Sequence, residues 1–426
     1  MPPVSVDSNS NASPHGGNPD GANAAAARAW LEGAHALLPE AVTLRRRIHA
    51  LPELGLHLPL TTQAVRDALQ GLDVSIEQGP SSSGLIVTLG GPSQGRTVLL
   101  RGDMDALPMP EDTGLAFASQ NAGRMHACGH DSHTAMLAMA VKLLHAHRDR
   151  LSGTVKFMFQ AGEEGHFGAL KMIEDGLLDH APKPDGAFAI HITPNVPSGV
   201  MTARAGAFMA STDTIDLTVW GRGGHASAPH HALDPIPVAC EIVTALQSFV
   251  TRRINAFDPV VLTITKIEGG TTYNVIPETV QVLGTLRSVS ERARQQARDG
   301  VRQVVEGIAA AHGARAELTL TEGYGVTVND GRMVTIAAET ARAQAGQGGF
   351  VQMPAPVMGA EDWSYVLQRI PGCMAFLGVA PDGHDHHHAA PCHSNRMLLD
   401  EAAMARGIAM YAGVAERFLE TGFATG

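Results

Sequence analysis

Glu163 and Glu164 stand side by side in Gln160-Ala161-Gly162-Glu163-Glu164-Gly165, directly after the apolar run Val155-Lys156-Phe157-Met158-Phe159. Neighbouring side chains at the end of a strand diverge, so one carboxylate can hold a metal while the other faces a substrate and moves a proton. Upstream, Cys128-Gly129-His130-Asp131 offers a thiolate and an imidazole two residues apart, a spacing that suits an extended or loop backbone. Alone, a Cys-Gly-His run is weak evidence, because a buried cysteine is commonly inert packing. With the glutamate pair, it reads as the donor set of a metallohydrolase, in which a metal-activated water is the nucleophile. Asp105 or Asp131 would orient a ligand ring.

The elements that position these residues follow from hydrophobic periodicity. Leu85–Leu89, Thr97–Leu100, Gly153–Phe159 and Ala187–Ile192 read as strands, and Ala24–Leu38, Leu44–Leu51, His133–His147 and Ala169–Leu178 as helices, with Pro52 ending the second. Strand and helix alternate, and the candidate ligands fall at strand ends, where open α/β sheets bind their ligands. After about Arg204 the pattern changes. Asp213–Trp220, Pro259–Glu268, Thr279–Arg287 and Arg315–Thr321 read as strands, and Asp234–Arg253 and Ser288–His312 as long helices. Strand-helix-strand-strand-helix-strand is the split βαβ, ferredoxin-like arrangement. The chain then returns to helix over Asp330–Ala345, an apolar strand over Cys373–Val379 and a last helix over Asp400–Glu420. The expected organisation is an α/β catalytic domain on an open mixed sheet, built from residues 22–204 and 322–426. Residues 205–321 would be an inserted lid, and residues 1–21, rich in Pro, Ser, Asn and Gly, a disordered leader.

Composition narrows the partners. The 426 residues carry 31 Lys+Arg against 42 Asp+Glu, a formal net charge of -11, which repels phosphate backbones and argues against nucleic acid. No apolar run is long enough to span a bilayer, and the leader lacks the basic and apolar blocks of a signal peptide, so the expected location is cytoplasmic with no membrane partner. The four scattered cysteines (Cys128, Cys240, Cys373 and Cys392) are not a disulfide framework. His191, in Phe188-Ala189-Ile190-His191, and His393, after Cys392, would each be unremarkable alone. His384, His386, His387 and His388 form a cluster that reads as a flexible surface loop able to bind metal adventitiously and is not assigned to the site.

Seven separated segments resemble, in order, a family of metal-dependent amidohydrolases that includes hippurate hydrolase, the indole-acetyl amino acid hydrolases and bacterial aminoacylases, within the co-catalytic metallo-exopeptidase clan. They are residues 46–55 (Arg-Arg-Ile-His-Ala-Leu-Pro-Glu-Leu-Gly), 101–108 (Arg-Gly-Asp-Met-Asp-Ala-Leu-Pro), 125–131 (Met-His-Ala-Cys-Gly-His-Asp), 160–165, 223–227 (Gly-Gly-His-Ala-Ser), 274–277 (Asn-Val-Ile-Pro) and 359–362 (Gly-Ala-Glu-Asp). The resemblance implies two divalent metal ions held by Cys128, His130, Glu164, His191 and His393, with the Cys128 thiolate bridging them. The metal could be zinc, manganese, cobalt or nickel. It implies Glu163 as general acid/base, a dimerising lid whose His225 reaches the partner subunit's site to stabilise the oxyanion, and Asn274 and Arg287 as contacts to the substrate. Asp105 joins them as a supporting catalytic residue. The implied reaction is hydrolysis of an N-acyl amino acid to a carboxylic acid and a free amino acid, by a homodimer or a higher homo-oligomer. A dipeptidase, a deacetylase of acetylated diaminopimelate or an inactive ligand-binding relative are the alternatives. Ile192-Thr193-Pro194-Asn195, His166-Phe167 and Asn395 depart from the family pattern and bear on the acyl group accepted.

Overall fold

The computed structural model describes residues 20–423 apart from Asp382 and His384. The leader expected over residues 1–21 lies outside the described residues through residue 19, as does His384. The chain folds as two compact units, one comprising Met1–Gly206, Val328–Ala355 and Tyr365–Gly426, the other Ala207–Thr327 and Pro356–Ser364.

The first unit is α/β. Helix α1 (Asp20–Ala50) and α2 (Pro59–Ala68) precede strands β1 (Ser75–Gln78), β2 (Leu85–Gly90) and β3 (Arg96–Asp103). Then come α3 (His130–Ala146), β4 (Gly153–Gln160), α4 (Gly168–Glu174), β5 (Gly186–Thr193) and β6 (Met201–Ala203). The sequence pattern suggests two helices before Pro52, but α1 runs unbroken through Pro39. Trp30, Ala34, Ala41, Leu44 and Ile48 form one buried stripe on both sides of the proline, and that burial outweighs one lost backbone hydrogen bond.

The inserted unit holds β7 (Ser211–Trp220), α5 (Pro235–Arg253), β8 (Val260–Gly269), β9 (Thr279–Ser288), α6 (Glu291–Ala311) and β10 (Arg315–Glu322). Its sheet runs β8-β9-β7-β10, antiparallel throughout, the order of a split βαβ fold. Strand β9 alternates strictly between buried and half-buried positions. The buried face, with Ile215, Leu217, Val219, Val282 and Leu286, packs on Val238, Ile242, Val301 and Val305 of the two helices. The helices start where their caps dictate: Asp234 accepts the Ile236 N–H and Ser290 accepts the Ala293 N–H.

The chain re-enters the first unit with α7 (Gly331–Ala345), β11 (Phe350–Gln352), β12 (Gly372–Gly378) and α8 (Met404–Thr421). The eight-stranded sheet runs β1-β2-β4-β3-β5-β12-β6-β11. Its centre, β4-β3-β5-β12, is parallel, and antiparallel pairs flank it, so the sheet is mixed. The central strands are almost wholly buried, as parallel strands covered on both faces must be. Asp103 stands opposite Gln160, and Arg101 opposite Ala189. Asp103, the glutamate pair and His191 therefore all issue from the same carboxyl edge. No helix among the described residues is long and apolar enough to cross a membrane.

Candidate metal centre

Cys128 and His130 reach the site through a turn rather than an extended segment. Gly129 sits between them at φ 85°, and His130 is the first residue of α3, three residues ahead of the sequence expectation. That conformation favours glycine, and a Cβ there would also run into the side chain of Ile192. Glu163 and Glu164 follow β4 in a turn bracketed by Gly162 and Gly165, both at positive φ. His393 is itself at φ 68°, with its N–H donating to the Ala127 carbonyl at 2.7 Å. The strained histidine and the cysteine loop are thus tied together.

The ligating atoms of Cys128, His130 and His191 lie within 4.8 Å of one another, and so do those of Cys128, Glu164 and His393. Cys128 belongs to both groups. The Cys128 Sγ is 3.3 Å from His191 Nε2, and His393 Nε2 is 3.2 Å from Glu164 Oε1. Glu163, buried, joins His130 and Glu164 in a further group of the same size.

The second nitrogen of each buried ring fixes its orientation. His130 Nδ1 donates to the Asp105 carbonyl at 2.8 Å, which turns Nε2 toward the cluster; that atom is buried without a hydrogen-bond partner. His191 Nδ1 donates to the Ile192 carbonyl at 2.7 Å, which leaves its Nε2 lone pair toward Cys128. Burial holds His191 well below the ordinary histidine range, so it is neutral. Burial also lowers His130, but Asp103, Asp105 and Glu164 more than reverse this and push it up to about 10. A hydrogen bond with Cys392, burial and Glu164 push the Cys128 thiol well above its usual value. The cluster thus gathers protons and negative charge that a divalent cation would displace and satisfy, and its thiol, imidazole and carboxylate donors suit a transition metal.

Asp105 binds through three atoms. Its carbonyl takes His130, while Oδ1 and Oδ2 accept the backbone N–H groups of Glu163 at 2.9 Å and Glu164 at 3.0 Å. Asp131 orients no ligand ring; it is buried against Arg45 and His49, at 2.8 Å each. In the other unit, His225 and Asn274 are neighbours: Ala226 N–H donates to the Asn274 carbonyl at 3.1 Å, and His225 pairs with Val275. The exposed His225 accepts the Ser227 N–H on Nδ1 at 3.1 Å, which puts its proton on Nε2 as a donor. Arg287, next to the last residue of β9 and half-buried, is held below the usual arginine value by burial alone.

A family model for peptidase family M20/M25/M40 matches residues 99–417. The chain belongs to this family. It is 38% identical over 381 residues to thermostable carboxypeptidase 1 of Saccharolobus solfataricus, covering 88% of this chain and 95% of that one. It is 36% identical over 380 residues to N-acetyl-L-cysteine deacetylase of Bacillus subtilis, covering 89% and 88%. Among solved structures it is similar to a dinuclear metal binding peptidase of the M20 family from Bacillus subtilis, with a TM-score of 0.77, 32% identity and coverage of 91% and 99%. As a member of the M20 family, it is a hydrolase of amide bonds.

Sequence reading did not single out Asp103, His133 or Cys392. Asp103 and His133 form another close group with His130. His133 Nδ1 meets Asp103 Oδ1 at 2.5 Å and its Nε2 accepts the Ile192 N–H at 2.8 Å, so both nitrogens are committed and the ring acts as a strut. The i, i+3 spacing of His130 and His133 on one helix, beside an Asp-x-Asp strand end, was the available signal.

Proposed function

We propose that this M20 hydrolase releases a free amino acid from N-acyl amino acids, with two divalent ions held by Cys128, His130, Glu164, His191 and His393. The observation that carries the reading is the shared position of Cys128 in two separate donor groups, which suits a thiolate between two ions. When bound, such ions make an amide carbonyl more electrophilic and water more acidic. Glu163 takes the proton of the attacking water and returns it to the departing nitrogen, so its carboxylate ends the cycle as it began. Asp105 holds Glu163 in place through the backbone. Arg287 takes the α-carboxylate of the substrate, for which its planar fork is suited, and Asn274 lines the same subsite. His225 donates from Nε2 to the oxyanion that forms on the former carbonyl oxygen.

The two relatives support the substrate class from different directions. A carboxypeptidase and an N-acetyl amino acid deacetylase both cleave an amide whose nitrogen belongs to an amino acid with a free carboxylate. The inserted unit, expected over residues 205–321, is read as a lid and dimerisation domain. Its edge strand β8 exposes Val261 and Ile267, and Tyr273 beyond it is 96% exposed, apolar surface of the kind a second copy covers. A cytoplasmic homodimer is the assembly we propose.

The test is hydrolysis of a panel of N-acetyl, N-benzoyl and long-chain N-acyl amino acids and dipeptides by chelator-stripped protein reloaded with zinc, manganese, cobalt or nickel. Cleavage restricted to acyl amino acids and dependent on added metal is expected. Full activity in rigorously metal-free protein overturns the metal reading, and preference for dipeptides overturns the substrate reading.

A further inference from the structure

The loop before His393 carries a second, separate donor cluster. The ligating atoms of Asp385, His386 and His387 lie within 4.8 Å of one another. The His386 and His387 rings lie tilted by 40° with centroids 3.9 Å apart, and His386 Nδ1 is 3.8 Å from Asp385 Oδ1. None of these residues belongs to the groups around Cys128.

This loop is organised around its carboxylate. Asp385 Oδ1 accepts the His387 N–H at 3.0 Å, and the Asp385 carbonyl accepts the His388 N–H at 2.9 Å. His388 Nδ1 donates to the other carboxylate oxygen, Oδ2, at 2.8 Å. That is the arrangement by which an outer imidazole orients a ligating carboxylate. The backbone N–H of His387 and the side chain of His388 keep the Asp385 carboxyl below its ordinary value, and so ionised at neutral pH. The loop is also moored from outside. Asn195 Nδ2 donates to the carbonyls of His386 at 3.2 Å and Ala389 at 3.0 Å. This places the cluster on a fixed stretch of backbone, on which two imidazoles and one carboxylate already converge.

We propose that Asp385, His386 and His387 form a third, peripheral site for a divalent first-row transition ion. Two imidazoles and a carboxylate suit zinc, nickel or copper, and disfavour magnesium and calcium, which take oxygen ligands. Metal–ligand bonds of about 2.0–2.2 Å bring donor atoms to roughly 3.3 Å from one another in a tetrahedron. The two rings need only rotate toward a carboxylate already held in place, His387 being exposed; water completes the coordination. An open, solvent-facing site exchanges its ion readily, so it is weaker than the inner cluster and independent of it.

The experiment counts ions rather than turnover. Full-length, tag-free protein is stripped with chelator and titrated with zinc against a competing indicator, alongside the His386→Ala/His387→Ala double variant and Glu164→Gln. The double variant is expected to bind one zinc equivalent fewer, with unchanged kcat at saturating metal and an unchanged circular dichroism spectrum. Glu164→Gln is expected to keep that peripheral equivalent while losing affinity at the inner site, so the peripheral ion is scored separately from the proposed function. Copper(II) added as one equivalent to protein whose inner site is already filled with zinc should show nitrogen hyperfine coupling in its paramagnetic resonance spectrum that the double variant, treated alike, lacks. Asp385→Asn, which keeps both rings, is expected to weaken the same equivalent. Equal zinc stoichiometry in wild type and double variant overturns the proposal. So does an extra equivalent that binds only at millimolar zinc and with the same affinity in both proteins.

Discussion

The Asp105 carboxylate accepts the backbone N–H of Glu163 through Oδ1 at 2.9 Å. Its other oxygen takes the N–H of Glu164, so one side chain aligns both glutamates, while its own carbonyl fixes the His130 ring orientation. Asp105 is thus a positioning residue. Asp105→Asn leaves one oxygen to accept and an NH2 facing an N–H. The expected result is a fall in kcat of roughly 10–100-fold with little change in KM, together with weaker metal retention. Steady-state kinetics paired with metal analysis checks this. Unchanged kcat with normal metal content would mean the backbone turn holds itself.

The two glutamates should fail differently. Glu163→Gln keeps the shape and removes the proton carrier, so metal content stays and kcat falls by roughly 10²–10⁴-fold. Glu164→Gln removes a donor shared with Cys128 and His393, so metal affinity falls with activity. A Glu163→Gln protein that retains most of its kcat sinks this division of labour.

Much of the candidate site was legible because its residues sit at element ends, where apolar periodicity stops: the glutamate pair after β4, His191 near the end of β5, Cys128 just before α3 and His130 at its first residue. What the sequence hid are pairings made across the fold. Arg45 and His49, on α1, converge on Asp131, and Cys392 approaches the carbonyls of Cys128 and Ile192 at 4.0 and 3.8 Å. No local period announces contacts between residues tens or hundreds of positions apart. The unbroken α1 was hidden for the opposite reason, a strong local signal at Pro39 overruled by tertiary burial.

Gly129 gives a stability test of the ligand turn. A side chain at φ 85° is strained, and its Cβ would collide with Ile192, whose carbonyl fixes His191. Gly129→Ala should lower stability by about 1–2 kcal/mol or more and should weaken metal binding at the same time. Denaturant melts and zinc titration read the two effects. Loss of stability with intact zinc affinity would separate the turn from the cluster.

Glu401 sets an acid limit on stability. Burial raises its carboxyl, but hydrogen bonds from Arg46 and Arg45 lower it more, so its folded value lies below the ordinary one. The sign follows by linkage: the unfolded state binds the proton more tightly, so the contribution is present above about pH 4.3 and fades as pH falls through the folded value. The Arg46 arm is half-exposed and screened, so the contribution is about 1 kcal/mol at neutral pH. Glu401→Gln should therefore melt below wild type at pH 7, with the gap closing toward pH 3. A gap that persists unchanged at low pH would show that shape, not charge, matters there.

The last prediction concerns His225. Its Nδ1 accepts the Ser227 N–H, so the ring presents Nε2–H outward, the form an oxyanion donor requires. If the inserted unit dimerises and lends this ring to the partner subunit, His225→Ala should cost roughly 10²–10³-fold in kcat with metal content unchanged. Mixing His225→Ala with Glu163→Gln should then restore activity, because a hybrid dimer assembles one site with both groups intact. Subunit exchange is followed independently by mass spectrometry of a size-tagged mixture. Recovery above the sum of the parent activities is the expected outcome. Activity that stays at that sum, with exchange demonstrated, would place His225 within its own subunit's chemistry or outside the reaction, and would remove the dimer from the mechanism.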